Sequence, residues 1–158
     1  LNTGNTNSVV GDNALSASGS GSANSVLGQS AMANNTSGSN NVGIGYQALL
    51  SNTTASENTA VGYQAGYTNS TGLYNTLVGY QSGYLNTASY NTYLGHKAGY
   101  TTSSGTENVA VGQAALYYNT IGGYNVAIGR TALLNNTTAD NNTAVGYQSA
   151  YKIGRAHV

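Results

Sequence analysis

A five-residue motif that returns at a fixed short interval constrains the fold of this chain more than any other feature. The motif reads Asn-x-x-(Val/Ile/Leu)-Gly and occurs nine times. Successive motif glycines lie 17 residues apart, except for one interval of 16 residues between Gly79 and Gly95. A constant short period indicates a solenoid, in which each repeat stacks on the next. The copies span residues 7–11, 24–28, 41–45, 58–62, 75–79, 91–95, 108–112, 125–129 and 142–146.

The length of the repeat predicts its secondary structure. Seventeen residues are too few for a helical-hairpin repeat, which needs more than about 30. The many glycines also disfavour helices, by up to about 1 kcal/mol each relative to alanine. We therefore predict an all-β, parallel β-roll or β-solenoid of nine coils, each with two short strands and two turns. At about 4.8 Å per coil, eight intervals give a rod of roughly 38 Å. The shortened repeat loses its residue in the connector at 86–91, which is predicted to be an outer loop.

Two columns of the repeat predict the interior of the coil. The residue before the motif glycine is always aliphatic, and the residue three places after it is always small. We interpret these columns as facing each other inside a thin coil. The residue three before the glycine shares the strand face of the aliphatic column, so it is also predicted to point inward. The aliphatic column is Val10, Leu27, Ile44, Val61, Val78, Leu94, Val111, Ile128 and Val145, and the small column is Ala14, Ala31, Ala48, Ala65, Ser82, Ala98, Ala115, Ala132 and Ser149.

The motif asparagine and glycine never vary along the chain, and both are interpreted as structural. Stacked amides can hydrogen-bond from coil to coil as a ladder. An unvarying glycine predicts a positive φ or a close backbone approach. The best copies contribute Asn58, Asn75, Asn108 and Asn125 to the asparagine column, and Gly62, Gly79, Gly112 and Gly129 to the glycine column.

The composition excludes several classes of protein. The chain has 158 residues, no cysteine, four Lys and Arg, and four Asp and Glu, with a net charge of zero. The missing cysteines exclude a disulfide scaffold and a thiolate metal site. Neutrality argues against nucleic acid as a partner, which requires a basic surface. No apolar run is long enough for a membrane span, and no cofactor or metal motif is present.

The repeats are expected to form one domain, residues 1–151, of a longer protein. Residues 152–158 depart from the pattern completely. Their sequence reads as the translation of a sequencing adapter, so we expect a non-native tail and leave it out of the fold prediction.

Tyrosine and glutamine columns form the candidate binding surface. One tyrosine column follows the motif glycine directly, a second lies five places after the glycine, and glutamines lie beside the first. Aromatic rings with neighbouring amides suit sugar rings or a protein surface, so we expect a receptor or glycan contact here. The competing interpretation is that the tyrosines stack on one another and stabilise the coil. The candidates are Tyr46, Tyr63, Tyr80, Tyr67, Tyr84, Tyr100, Gln64 and Gln81.

The ionisable residues do not form a recognisable active site. Glu57 and Glu107 share a column but lie three coils apart, about 14 Å at the coil spacing. A glycosidase pair needs roughly 5 to 9.5 Å. His96 has no acidic residue in its own repeat and is expected to be a solvated surface histidine. We therefore predict that the protein is not an enzyme.

The motif copies also resemble a known family. Asn58-Thr-Ala-Val-Gly62 and Asn125-Val-Ala-Ile-Gly129 resemble the coils of YadA-like heads in trimeric autotransporter adhesins. The longer form Asn-Thr-Ala-Val-Gly-Tyr-Gln-Ala is similar to repeats in phage-type tail fibre proteins. The resemblance implies a left-handed β-roll, a homotrimer, an extracellular place on a bacterial surface or virion tail, and a glycan or protein receptor on a host cell. In such heads the column two before the glycine is mostly small, whereas this chain places Leu77 and Tyr93 there. If that column forms the trimer contact, the contact must widen at these two coils.

The predicted function is that of a structural and adhesive fibre segment, the shaft or head of a surface adhesin or tail fibre. One alternative is a secreted ice-binding β-solenoid, for which Thr59, Thr76, Thr92 and Thr143 provide a threonine column. That column alternates with valines and is predicted to point inward, which disfavours the alternative. A tailspike-like polysaccharide depolymerase is disfavoured by the shortage of carboxylates.

Overall fold

The computed structural model describes residues 6–17 and 19–151, and the tail predicted at 152–158 lies outside them. These residues contain nine strands of three residues each and no helix. The strands are β1 (Ser8–Val10), β2 (Ser25–Leu27), β3 (Val42–Ile44), β4 (Thr59–Val61), β5 (Thr76–Val78), β6 (Thr92–Leu94), β7 (Val109–Val111), β8 (Val126–Ile128) and β9 (Thr143–Val145).

The nine strands form one parallel sheet in chain order, β1 to β9. The register places equivalent repeat positions opposite each other, as Thr59 opposite Thr76. It continues across the shortened repeat, where Thr76 lies opposite Thr92. The predicted all-β solenoid with one coil per repeat is therefore confirmed. We call each coil a rung and number the rungs by their strands.

Each rung has one strand, so the prediction of two strands per coil is wrong. The chain turns after the motif glycine, and residues there alternate into the left-handed region, as at Gln64 (φ 52°) and Leu49 (φ 51°). Strand geometry does not include these angles. Hydrogen bonds between rungs nevertheless continue around the coil. The backbone N–H of Leu49 donates to the Ala65 carbonyl (3.0 Å), and that of Thr53 donates to the Ser70 carbonyl (3.2 Å).

The interior of the coil is lined by the middle residue of each strand and by the small column. Ala60 and Ala110 are fully buried in mid-strand, and Ala65 and Ala115 are fully buried in the small column. The small column is therefore correctly predicted as internal. The aliphatic column and the residue three before the glycine were predicted to be internal, and this prediction is wrong. They are the third and first strand residues, so alternation points both away from the middle residue and out of the coil.

The core keeps its volume by exchanging large and small residues between two columns. In rungs 3, 7 and 8 the middle strand residue is small and the residue four after the motif glycine is large, as in the pair Ala110 and Leu116. In rung 4 both residues are small, and leucine side chains of the two adjacent rungs reach into the space at Gly66. Rung 5 reverses the order with Leu77 and Gly83, and rung 6 does so with Tyr93 and Gly99. A Cβ added at Gly83 would lie 2.7 Å from Leu77 Cδ2, and one at Gly99 would collide with the Tyr93 ring. Leu77 and Tyr93 are thus core residues.

The motif glycine adopts a conformation that side chains disfavour and also approaches the next rung closely. Gly62 has a φ of 140°, and a Cβ there would collide with the carbonyl oxygen of Gly79. Both predicted reasons for an unvarying glycine therefore hold. Glycine is required because the rungs stack backbone to backbone at this corner.

Candidate functional site

The motif asparagines form the predicted ladder inside the coil. At rung 5, Asn75 donates its backbone N–H (2.9 Å) and its Nδ2 (3.0 Å) to Oδ1 of Asn58. The same Nδ2 donates to the carbonyl of Ala88 across the coil (2.8 Å). Asn58 makes the equivalent contacts to Asn41 and Gly72. Because these amides are buried and satisfied by the fold, the ladder is structural.

A second asparagine ladder was missed by the sequence analysis. It lies eleven places after the motif asparagine and fastens the connector. Asn52 Nδ2 donates to Oδ1 of Asn35 (2.7 Å) and to the Ala55 carbonyl (3.0 Å). The sequence signal was the recurrence of asparagine at the repeat period within segments that look variable. The column comprises Asn35, Asn52, Asn69, Asn86, Asn119 and Asn136. Amide-to-amide bonds join Asn52 to Asn35 and Asn136 to Asn119, whereas Oδ1 of Asn52 and of Asn136 is buried without a hydrogen-bond partner.

Rung 6 substitutes threonine in this second ladder, and the core compensates. Thr102 takes the place of asparagine and is fully buried. The Tyr93 hydroxyl reaches it across the coil, at 3.0 Å from Thr102 Oγ1. Burial raises the pKa of Tyr93 far above its ordinary value. The phenol therefore stays neutral and acts as a hydrogen-bonding core residue.

The tyrosines that follow the motif glycine form what we call the first tyrosine ladder: Tyr46, Tyr63 and Tyr80. Their rings stack at centroid distances of 5.2 and 5.1 Å, with interplanar angles of 16° and 7°. Each tyrosine is 40–44% exposed. His96 continues the stack on Tyr80 at 5.1 Å, so this exposed histidine has an aromatic partner on the rod surface.

A glutamine ladder and a second tyrosine ladder lie beside the first. Gln64 Nε2 donates to Gln47 Oε1, and Gln81 Nε2 donates to Gln64 Oε1, both at 2.8 Å. Lys97 continues this column and places Nζ 5.3 Å from the centroid of the Tyr100 ring. The second tyrosine ladder is Tyr67, Tyr84, Tyr100 and Tyr117, with centroid distances of 5.0 to 5.2 Å.

Stacking determines what these tyrosines offer to a ligand. Neighbouring rings at about 5 Å cover each other's faces, so within each ladder the ring edges and phenol hydroxyls remain for recognition. Burial, and then the neighbouring phenol groups of Tyr67 and Tyr100, raise the pKa of Tyr84. The candidate residues therefore lie together, but as a surface of hydroxyl and amide groups and not as platforms for sugar rings.

The outward side of the sheet is a second candidate surface, which we call the outer strand face. It consists of the first and third residues of each strand, and none of these positions is charged. Val10 and Val145 are each 65% exposed, and Leu27 is 50% exposed. The first residues are Ser8, Ser25, Val42, Thr59, Thr76, Thr92, Val109, Val126 and Thr143, and the third residues are the aliphatic column. The exposed aliphatic side chains of this face make it a candidate contact surface.

The acidic residues remain separate from one another. Glu57 and Glu107 occupy the column before the motif asparagine, both exposed and three rungs apart. Glu107 lies near Tyr124 and raises the pKa of that phenol. Over residues 6–17 and 19–151, no group of three His, Cys, Asp or Glu side chains lies close enough together to hold a metal ion. The same part of the chain has no helix long and apolar enough to cross a bilayer.

Comparisons of the chain with protein-family models, with curated proteins and with solved structures found no match.

Proposed function

We propose that this chain is a rigid segment of an extracellular fibre, the shaft or head of a bacterial surface adhesin or a phage tail fibre. The observation that carries the proposal is the unbroken register of nine rungs. Asparagine, glycine and tyrosine columns run along this rod, and backbone hydrogen bonds join each rung to the next. A stack of this kind holds its two ends at a fixed separation and orientation, as the rigid segment of a fibre must.

The proposed fibre is a homotrimer, with the outer strand face as the contact between chains. The column two before the motif glycine was the conditional candidate for this contact, but Ala60, Leu77 and Tyr93 are fully buried in the coil. The outer strand face exposes aliphatic side chains and no charge. Burying it contributes about 25 cal/mol per Å² of apolar area, and cyclic association closes the assembly.

The proposed receptor contact is the surface formed by the two tyrosine ladders and the glutamine ladder. Phenol hydroxyls and side-chain amides suit the polar groups of a host-cell glycan or protein. Lys97 adds the positive charge beside Tyr100. This assignment predicts that removing two hydroxyls, as in Tyr63→Phe with Tyr80→Phe, weakens cell binding while the rings still stack.

Analytical ultracentrifugation tests the assembly. Wild type should sediment as a trimer, and Val61→Lys with Val78→Lys should sediment as a monomer with an unchanged β spectrum, because two charges per chain enter the contact. Thr71→Lys, on an exposed connector residue, is the matched control and should remain trimeric. A monomeric wild type contradicts the trimer. Labelled trimer that binds no bacterial or host cell surface contradicts the adhesive role.

A second candidate function is ice binding, and one observation favours it. Thr59, Thr76, Thr92 and Thr143 point outward on the sheet, contrary to the prediction that disfavoured this alternative. Thr76, Thr92 and Thr143 are exposed on an uncharged face whose strands repeat at about 4.8 Å. Thermal hysteresis of purified protein separates the candidates. A monomer with clear hysteresis, lost in Thr76→Lys, contradicts the fibre assignment, and a trimer without hysteresis contradicts ice binding.

A further inference from the structure

We propose that the first tyrosine ladder is a site of oxidative modification, where a one-electron oxidant joins neighbouring tyrosines of one chain into dityrosine. The inference requires only the observed ladder and stands apart from the fibre proposal. The oxidant is of a defined class, a haem peroxidase that uses hydrogen peroxide. The product is a covalent staple between adjacent rungs.

The geometry prepares the coupling. Tyr46, Tyr63 and Tyr80 lie on consecutive rungs, with near-parallel rings and centroids 5.1 to 5.2 Å apart. Stacking in register brings the same Cε edge of each ring next to that of its neighbour. The backbone holds the pair in place, since Gln64 N–H donates to the Tyr46 carbonyl and Gln81 N–H donates to the Tyr63 carbonyl, both at 2.8 Å. For the Cε atoms to meet, the rings must turn about their Cβ–Cγ bonds towards one plane and also tilt towards each other about their Cα–Cβ bonds.

Exposure and composition make tyrosine the residue type that a surface oxidant reaches in this chain. The three rings are 40–44% exposed, so an oxidant at the surface can reach them. The chain has no cysteine and no tryptophan, and its one methionine, Met32, is fully buried. Other side chains that commonly lose electrons are therefore absent or enclosed. Tyrosine is the group that remains. Tyr74 and Tyr90 also stack, at 5.0 Å, and are 44% and 55% exposed, so mapped links and not the total fluorescence identify coupling within the first ladder.

The chemistry balances with hydrogen peroxide as the oxidant. Each of two phenols gives up one electron and one proton and becomes a phenoxyl radical whose spin reaches Cε. The two radicals form a Cε–Cε bond, and enolisation then moves the hydrogen of each joined carbon to its own oxygen. The two electrons and two protons reduce one hydrogen peroxide to two waters. The link closes a loop of one repeat, which restricts the unfolded chain as a disulfide does.

The experiment uses the whole chain at low concentration with a haem peroxidase and limiting hydrogen peroxide. We expect dityrosine fluorescence, Tyr46–Tyr63 and Tyr63–Tyr80 links in peptide mass spectra, and an unchanged chain mass on a denaturing gel. The treated protein should also melt at a higher temperature. Tyr63→Phe should remove both links, because Tyr63 is the partner in each.

Tyr124→Phe is the control. Tyr124 is 56% exposed, and its column neighbours on adjacent rungs are Glu107 and Asn141, so it has no tyrosine to couple with there. Its removal should leave the dityrosine yield unchanged. The proposal is overturned by an absence of dityrosine, by links that join only different chains, or by a yield from the first ladder that Tyr63→Phe does not lower.

Discussion

At the scale of single residues, buried amides connect the rungs. Asn58 Oδ1 accepts the backbone N–H of Asn75 (2.9 Å), and Asn58 Nδ2 donates to the Gly72 carbonyl (2.8 Å). Water cannot replace these hydrogen bonds, because the asparagine side chains are fully buried. One side chain therefore satisfies backbone groups on two sides of the coil.

Replacing this amide should destabilise the rod. Asn58→Ala leaves the buried backbone N–H of Asn75 unpaired, whereas the Gly72 carbonyl keeps the hydrogen bond from Asn69 Nδ2. At 1–3 kcal/mol for one unpaired group, we expect a loss of about 1–3 kcal/mol in the free energy of unfolding. The measurement is urea denaturation followed by circular dichroism. Asn34→Ala, at an exposed asparagine, is the control and should change stability by less than about 0.5 kcal/mol. Equal losses in the two variants would contradict the ladder.

The buried phenol of Tyr93 should make the free energy of unfolding depend on pH in the alkaline range. Its pKa is raised by burial in the folded state, whereas the unfolded phenol titrates near 10. The folded state therefore retains its proton while the unfolded state loses it, and stability falls as pH rises above about 10. Below that pH the contribution is fully present.

Tyr93→Phe should remove this pH-dependent part of the stability. At neutral pH the variant loses the hydrogen bond to Thr102, about 0.5–1.5 kcal/mol. Its stability relative to wild type should then rise as pH increases above about 10, in denaturation curves measured across the series. Tyr147→Phe, at a 66% exposed tyrosine, is the control. A difference between wild type and Tyr93→Phe that stays constant with pH would contradict the assignment.

At the scale of the rung, the core columns exchange volume. Leu77 fills the space that Leu116 fills from the opposite side of the coil in rung 7. The position opposite Leu77 is Gly83, with a φ of 57°, and Leu116 adopts a φ of 53° at the equivalent position. A leucine at residue 83 can thus take the backbone conformation already present.

A double-mutant cycle tests the exchange. Leu77→Ala should lose about 2–5 kcal/mol by creating a cavity, and Gly83→Leu should lose about 1–3 kcal/mol by overpacking against Leu77. The double variant should regain most of the loss, which gives a coupling energy of about 2–3 kcal/mol. Denaturation of the four proteins provides the values. Additive losses would show that the two columns do not share one space.

The connector tolerates a change of length where the strand does not. In the shortened rung, Asn86 Nδ2 reaches the carbonyl two residues on, Ala88, whereas Asn69 Nδ2 reaches the carbonyl three residues on, Gly72. Thr71 is an exposed residue of the full-length connector, between Asn69 and Gly72. Deleting it reproduces the natural 16-residue repeat. We expect a loss of less than about 1 kcal/mol.

Deleting Ala60 is the contrasting change. It moves the rest of β4 by one residue and exchanges its inner and outer faces, so we expect the chain not to fold. Circular dichroism and solubility measure both deletions. Equal tolerance of the two deletions would contradict the assignment of strand and connector.

The repeat pattern predicted much of this fold. Spacing and glycine content led to the parallel solenoid, and the unvarying Asn58 and Gly62 columns led to the ladder and the close approach. Alternation could not determine which strand face is internal, because it fits either orientation. Val61 was therefore assigned to the interior, although Ala60 fills it. The compensation of Leu77 by Gly83 was the signal that identifies the core column.

The tyrosine surface was predicted only in part. The period placed Tyr46, Tyr63 and Tyr80 on successive rungs, which the structure confirms. The mutual covering of the ring faces depends on side-chain rotamers and on a rung spacing close to the stacking distance. Neither the rotamers nor the exact rung spacing can be derived from the positions of the tyrosines in the sequence.

At the scale of the whole molecule, each repeat is one rung, and the rungs stack in chain order. Exposed positions in equivalent columns then lie at distances proportional to the number of rungs between them. Ser25, Thr76, Thr92 and Thr143 are four such positions, exposed on the outer strand face. The chain contains no cysteine, so introduced cysteines carry spin labels at chosen sites only.

The stacking is tested by pulsed electron–electron double resonance on three doubly labelled proteins, each diluted with unlabelled chain. From Ser25, the strand spacing predicts backbone separations of about 14 Å to Thr76, about 19 Å to Thr92 and about 34 Å to Thr143. The measured distances should rise in proportion to the three, four and seven rungs crossed. Distances that do not increase with rung number, or a Ser25–Thr143 distance shorter than Ser25–Thr92, would contradict the stacked rod.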